Sequence, residues 1–200
     1  MSHYFETPTG DENRRDIRAT IFGRDFTFTC ADGVFSGHRL DPGTAVLLRS
    51  VDPPQVTPEC PAPRLLDLGC GFGPIAVGLA AACPTATVAA IDVNDRALEL
   101  TRLNAARAGV EVAVTRPEDV PADARFDEIW SNPPIRVGKA ALHDLLTTWL
   151  ARLVPGGVAY LVIGRNLGGD SLQGWLTDQG WPTERLASAK GCRVLRASAT

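Results

Sequence analysis

The sequence predicts an α/β protein built on a mainly parallel, doubly wound sheet of seven strands. Two observations carry that reading. From residue 64 onward, short apolar runs of strand length alternate with longer stretches of helical pattern, the alternation that produces a parallel sheet covered on both faces. The first of those runs leads directly into a glycine-rich turn and a helix start, the kind of junction at which such sheets hold ligands.

The elements follow in order. Ile17 to Phe22 and Phe26 to Cys30 alternate apolar and polar around Gly23-Arg24-Asp25, a hairpin pattern, and Ala31-Asp32-Gly33 makes a second turn. Asp41-Pro42 has the form of an N-cap followed by proline at the first helical position, so a helix is expected to about Ser50. Pro53 to Pro63 holds five prolines and no periodicity, which marks a linker. Arg64 to Leu68 is the first strand of the sheet, with a helix from Gly73 to about Cys83. Thr87 to Ile91 is the second strand, and Asp95 is expected to cap a helix reaching Ala108. Val110 to Val114 and Phe126 to Ser131 are the third and fourth strands. A helix from about Lys139 to Leu153 should be stopped by Pro155-Gly156-Gly157, with Val158 to Ile163 as the fifth strand. Ser171 to Gln179 is a helix, and strands near Pro182–Leu186 and Val194–Ala197 complete the seven. No internal repeat is present.

Composition sets the class. The chain has 200 residues, 44% apolar and 22% charged, with a net charge of −3, enough for one ordinary domain and too apolar for a disordered one. No apolar run reaches the roughly 18–20 residues of a membrane helix. Met1 to Gly10 is polar and acidic, unlike a secretory leader. The five cysteines are scattered, with no C-x-x-C pair, so neither a disulfide framework nor a zinc site is expected. These features point to a reduced, cytoplasmic protein without membrane or metal.

Leu65-Leu66-Asp67-Leu68-Gly69-Cys70-Gly71-Phe72-Gly73-Pro74 is a strand, a tight turn and a helix start. A dinucleotide fingerprint would read G-x-G-x-x-G, whereas Pro74 stands here at the place of the last glycine. Asp67 before the glycines suits a cationic ligand better than a pyrophosphate. Asp92, at the end of the second strand, is placed to accept from both hydroxyls of a ribose. Ser131-Asn132-Pro133-Pro134-Ile135 follows the fourth strand. Two prolines stiffen this loop, because each fixes its own φ and restricts the residue before it. The Asn132 side-chain oxygen and the Pro133 carbonyl are then two preorganised acceptors, matched to the two N–H donors of a planar amine.

Asp67 to Gly73, with Asp92 downstream, resembles the S-adenosylmethionine motif of class I methyltransferases. The resemblance implies a Rossmann-like fold with its last strand antiparallel, and a cofactor site formed by Asp67, Gly69, Cys70, Gly71, Gly73, Asp92, Val93 and Asn132. Asp67 would face the methionine part, and Glu118 or Asp119 would stand near the adenine. Asn132-Pro133-Pro134 is similar to the catalytic motif of enzymes that methylate exocyclic amines of bases or glutamine amides, with Ile135 in place of the usual aromatic. Asn132, Pro133, Pro134 and Ile135 would be its catalytic residues. Stacking would then come from elsewhere, with Phe35 and Phe72 as candidates.

His3-Tyr4-Phe5, Gly33-Val34-Phe35-Ser36 with Leu40-Asp41-Pro42-Gly43-Thr44, Asn132 to Lys139, and Lys190-Gly191-Cys192 resemble the small-domain methyltransferases typified by the 16S rRNA guanine-N2 enzymes, especially short single-domain members. Cys192 departs from their Lys-Gly-Tyr ending. The resemblance implies residues 1–60 as a hairpin and helix extension covering the cofactor site, and 61–200 as the methyltransferase core, in one domain overall. It implies ribosomal RNA or the small ribosomal subunit as partner, with Phe35, Arg136 and Lys139 as substrate contacts. Residues 128–200 carry eight basic and five acidic side chains, and Arg136, Lys139, Arg165, Lys190, Arg193 and Arg196 are candidates for phosphate contact. His143, among apolar neighbours, reads as structural. Three alternatives stay open: a protein glutamine N5-methyltransferase, a small-molecule N-methyltransferase, and a non-catalytic binding module.

Overall fold

A computed structural model describes residues 13–36, 38–134, 138–165 and 168–200. His3-Tyr4-Phe5, Ile135 and Arg136 lie outside the described residues. The chain opens with an antiparallel hairpin, β1 (Arg14–Ile21) and β2 (Arg24–Ala31). Its turn is Phe22-Gly23, one position earlier than the sequence suggests, with φ of 49° and 75°. Positive φ at both turn residues matches the twist of a two-residue hairpin. A phenylalanine is held in that conformation because its ring packs edge-on against buried Trp130, at 6.2 Å between centroids. Helix α1 (Pro42–Ser50) starts as expected: the Asp41 carboxylate accepts from the backbone N–H groups of Gly43 and Thr44, with Pro42 in the first turn.

The sheet contains β3 (Arg64–Leu68), β4 (Thr87–Ile91), β5 (Ala113–Thr115), β6 (Phe126–Ser131), β7 (Leu153–Gly164), β8 (Thr183–Ala189) and β9 (Cys192–Ser198), in the order β5-β4-β3-β6-β7-β9-β8. Pairing is parallel from β5 to β7, and β9 runs antiparallel to both of its neighbours. Helices α2 (Pro74–Ala82), α3 (Asp95–Ala108), α4 (Lys139–Leu150) and α5 (Gly169–Asp178) connect the strands. Side-chain alternation divides the core: Leu65 of β3 joins the α1–α2–α3 side, whereas Leu66 and Leu68 join the α4–α5 side. The hairpin shares the first of these cores through Ile21, Phe28 and Cys30.

Three of the boundaries that differ from the sequence reading have a clear physical cause. Asn94, not Asp95, caps α3, accepting from the N–H groups of Arg96 and Ala97. The third strand is Ala113–Thr115, because Gly109 closes α3 in a left-handed turn and the Val110 N–H bonds back to Ala105, keeping that stretch out of the ladder. Helix α4 ends at Leu150, and Pro155-Gly156-Gly157 lies inside the 12-residue β7. The proline and glycines sit where the pairing with β6 shifts register, between Phe126 and Glu128, so they mark an irregularity and not a helix stop. Among the described residues, no helix is long and apolar enough to cross a membrane.

Candidate active site

The strand order reverses between β3 and β6, and the C-terminal ends of β3, β4 and β6 open on one crevice, the usual ligand position in such sheets. Ser131 Oγ joins two of these ends by donating to Leu68 O at 2.6 Å. The crevice holds a cavity of about 350 Å³ lined by three groups of residues. Gly69, Gly71, Ile91, Asp92, Val93 and Asn94 form one wall. Asn132, Pro133 and Pro134 form the second, with Gly164 and Cys192 beyond them. Val34, Phe35 and Asp41 to Gly43 come over from the N-terminal segment. The hairpin itself lies on α2 and α3, and it is the stretch after the hairpin that reaches the cavity.

The glycine turn is held from four directions. The N–H groups of Gly69 and Cys70 donate to Ile91 O at 2.9 and 3.0 Å, and that of Gly71 donates to Asp92 Oδ2 at 3.0 Å. Thr101 Oγ1 donates to Gly71 O at 3.0 Å. Buried Asn104 donates to Phe72 O and to Thr29 O, each at 2.8 Å, and accepts from Thr29 N at 2.7 Å, so one amide joins the turn, α3 and the hairpin. Gly71 has φ of 57°, and a Cβ added there would meet nothing within 4 Å, so its backbone faces open space.

Two carboxyls sit under and beside the turn. Asp92 lines the cavity and uses its two oxygens to hold Gly71 and Asn94. Burial raises its pKa, opposed by the N–H groups of Asn94 and Gly71. Asp67 is fully buried beneath the turn and does not line the cavity. Its Oδ2 accepts from Ala76 N at 3.0 Å, while Oδ1 has no partner. Burial pushes its pKa up to about 8, opposed by the Ala76 N–H and increased by Asp92. Gly73 caps α2, and Cys70 is buried and accepts from Thr101, so neither lines the main cavity.

Opposite these groups stands Asn132. Both hydrogens of its amide are engaged: Nδ2 donates to Asp41 Oδ1 at 2.7 Å and to Thr44 Oγ1 at 3.0 Å. The oxygen is thereby fixed as the end left to accept from something else. Sequence reasoning identified Asn132 but missed Asp41 and Thr44 as its partners; the Asp41-Pro42 cap was visible and its second role was not. Phe35 is 46% exposed at the cavity wall, while Phe72 is buried against Phe28. In the 117–119 turn only Pro117 lines the cavity; Glu118 pairs with Arg116, and Asp119 is exposed. Lys139 is exposed at the start of α4, away from the lining. Among the described residues, the titratable side chains of the lining are Asp41, Asp92 and Cys192, and burial raises the Cys192 thiol. His143 stacks on Trp175, with centroids 3.6 Å apart.

Residues 25–196 match the methyltransferase small domain family. An uncharacterized protein of Bacillus subtilis (strain 168), YbxB, is 34% identical over 173 residues, covering 84% of each chain. The ribosomal RNA small subunit methyltransferase C of Ectopseudomonas mendocina is 36% identical over 182 residues, covering 82% of this chain and 49% of its own length. A solved T. thermophilus 16S rRNA N2 methyltransferase, in complex with AdoMet and guanosine, superposes with a TM-score of 0.79 at 27% identity, covering 96% of this chain and 52% of that one. The chain thus spans about half the length of these two rRNA enzymes.

Proposed function

Since the chain belongs to the S-adenosylmethionine-dependent methyltransferase small domain family, we propose that it methylates the exocyclic N2 amine of a guanine in small-subunit ribosomal RNA. The observation that carries this reading is the fixed amide of Asn132, whose hydrogens are held by Asp41 and Thr44. Its similarity to the T. thermophilus enzyme that holds guanosine supports the choice of base.

The residues present fit the cofactor. A cavity of about 350 Å³ is of ligand size. Asp92 would accept from the ribose, the open backbone at Gly69 and Gly71 would allow close approach, and Val93 would contact the adenosine. Asp67, with one oxygen unpartnered, would act from beneath the turn on the cationic end. When bound, the cofactor supplies a methyl group on an electrophilic sulfonium.

The chain's own part is to position the acceptor. Asn132 Oδ1 and the Pro133 carbonyl would accept the two N–H bonds of the amine, which leaves the nitrogen lone pair as the free direction. Held this way, the amine would take the methyl group that the cofactor supplies and would give up one proton to solvent. No strong base is required before transfer. Phe35, exposed on the wall, would cover a base drawn out of its stack. Lys139, Arg165 and Lys190 are exposed and have no acidic partner among the described residues, so they would meet phosphates. On this reading the work would be done in the cytoplasm.

Methyl-labelled cofactor, incubated separately with small-subunit particles, naked rRNA and release factor, tests the proposal. Label mapped to N2 of one guanine is the expected result. Label only in release factor would replace it with the glutamine reading.

A further inference from the structure

Asp41 does more than its helix requires. Serine or asparagine caps a helix as well as aspartate does, so capping alone does not call for a carboxylate. Here Oδ1 takes three donors: Gly43 N at 2.7 Å, Thr44 N at 3.0 Å and Asn132 Nδ2 at 2.7 Å. Oδ2 takes no protein donor among the described residues. It is also absent from the buried unpartnered atoms, although the residue is only half-exposed, so it is open to solvent. Asp41 lines the cavity beside Asn132 and Pro133. A free carboxylate oxygen therefore stands next to the two acceptors that would hold the target amine.

We infer that Asp41 is a specificity-determining residue, its outer oxygen accepting the ring N–H next to the amine being methylated; this rests on the guanine reading above. Guanine places an N1–H donor beside its N2 amine. Adenine beside N6 and cytosine beside N4 each place a ring lone pair. A carboxylate, which can only accept, rewards the first and is left facing a lone pair by the other two. A site built to pair a donor discriminates strongly against an analogue lacking it, because its own polar group is left without a partner. The same side chain would thus fix the orientation of Asn132 with one oxygen and read the base with the other.

The test is nucleoside binding to protein loaded with S-adenosylhomocysteine. The fluorescence of 2-aminopurine riboside is followed directly, and guanosine is measured by competition. 2-Aminopurine keeps the N2 amine but has a lone pair at N1. The wild type should prefer guanosine by roughly ten-fold or more. In Asp41→Asn, the cap and the bond from Asn132 require the amide oxygen on the inner side, so an NH2 group replaces the outer oxygen. Guanosine binding should fall while 2-aminopurine riboside binding holds or rises, shrinking the preference by about ten-fold or more. Asp41→Ser keeps a cap and removes the outer oxygen, so it should lose guanosine affinity without gaining the analogue. The carbonyl at C6, which the analogue also lacks, contributes equally in all three proteins and cancels in the comparison. A merely structural defect would weaken both nucleosides together. Folded variants that retain the full wild-type preference would overturn the assignment while leaving the guanine reading intact. If the wild type binds neither nucleoside and places no label on guanine N2 in rRNA, the guanine reading falls and this inference falls with it.

Discussion

Asn132 and Asp67 are both polar residues at strand ends, yet the fold treats them oppositely. Asn132 has every donor engaged and its oxygen free, so removing the side chain should affect positioning and little else. Asn132→Ala is expected to keep cofactor affinity in calorimetry and to lose turnover by roughly a hundred-fold or more. Asp67 is buried with one oxygen unpartnered, and its pKa of about 8 lies far above that of the unfolded chain. Between roughly pH 4 and pH 8 the unfolded chain releases this proton and the folded chain keeps it, so stability falls as pH rises. Melting temperatures without added cofactor should show that decline, and Asp67→Asn should remove much of it. The raised carboxyls of Asp92 and Glu128 act in the same sense and leave a residual slope. The glycine turn was legible because its residues are consecutive. The Asp41–Asn132 pair was not, because the partners are 91 residues apart and each has a sufficient local explanation, a helix cap and a stiff loop.

Strands and helices with strong periodicity were read nearly to the residue; β3, β4 and β6 coincide with their apolar runs. The cap of α3 and the start of β5 moved for local reasons, whereas two other readings moved where tertiary contact overrides local preference. Phe22 turns the hairpin because Trp130 supports its ring, and Pro155 sits in a strand at a register shift. How the hairpin seats on α2 was equally invisible. A Cβ at Gly78 would come within 2.6 Å of Ile21 Cγ2, and Ile21 is 1% exposed and cannot retreat. Gly78→Ala should therefore destabilise by about 1–3 kcal/mol in denaturant unfolding, despite alanine's better helix propensity. Combining it with Ile21→Ala should recover part of the loss of fit between α2 and the hairpin, measured as non-additivity of the two substitutions.

At the scale of the whole molecule, charge would decide how the proposed RNA substrate is met. The basic excess of residues 128–200 is smaller at the surface than the sequence count suggests, because Arg193 is engaged by Asp170 and Arg196 by Glu184. Among the described candidates for phosphate contact, Lys139, Arg165 and Lys190 remain, and on the proposed reading replacing each by alanine should weaken RNA binding and flatten its logarithmic salt dependence by about one unit for every phosphate no longer neutralised. A salt slope unaltered in the triple variant would move the RNA path elsewhere. The buried amide of Asn104 has a further bearing, on the order in which the protein is made. Its bonds to Thr29 span 75 residues of chain, and its bond to Phe72 spans 32. A ribosome releases the hairpin first, then the glycine turn, and only afterwards the helix that fastens one to the other. Until residue 104 has emerged, the hairpin has α2 to rest on but lacks the amide that fastens it to the glycine turn, and a nascent chain paused before that point should be more open to proteolysis along its first third than the complete chain.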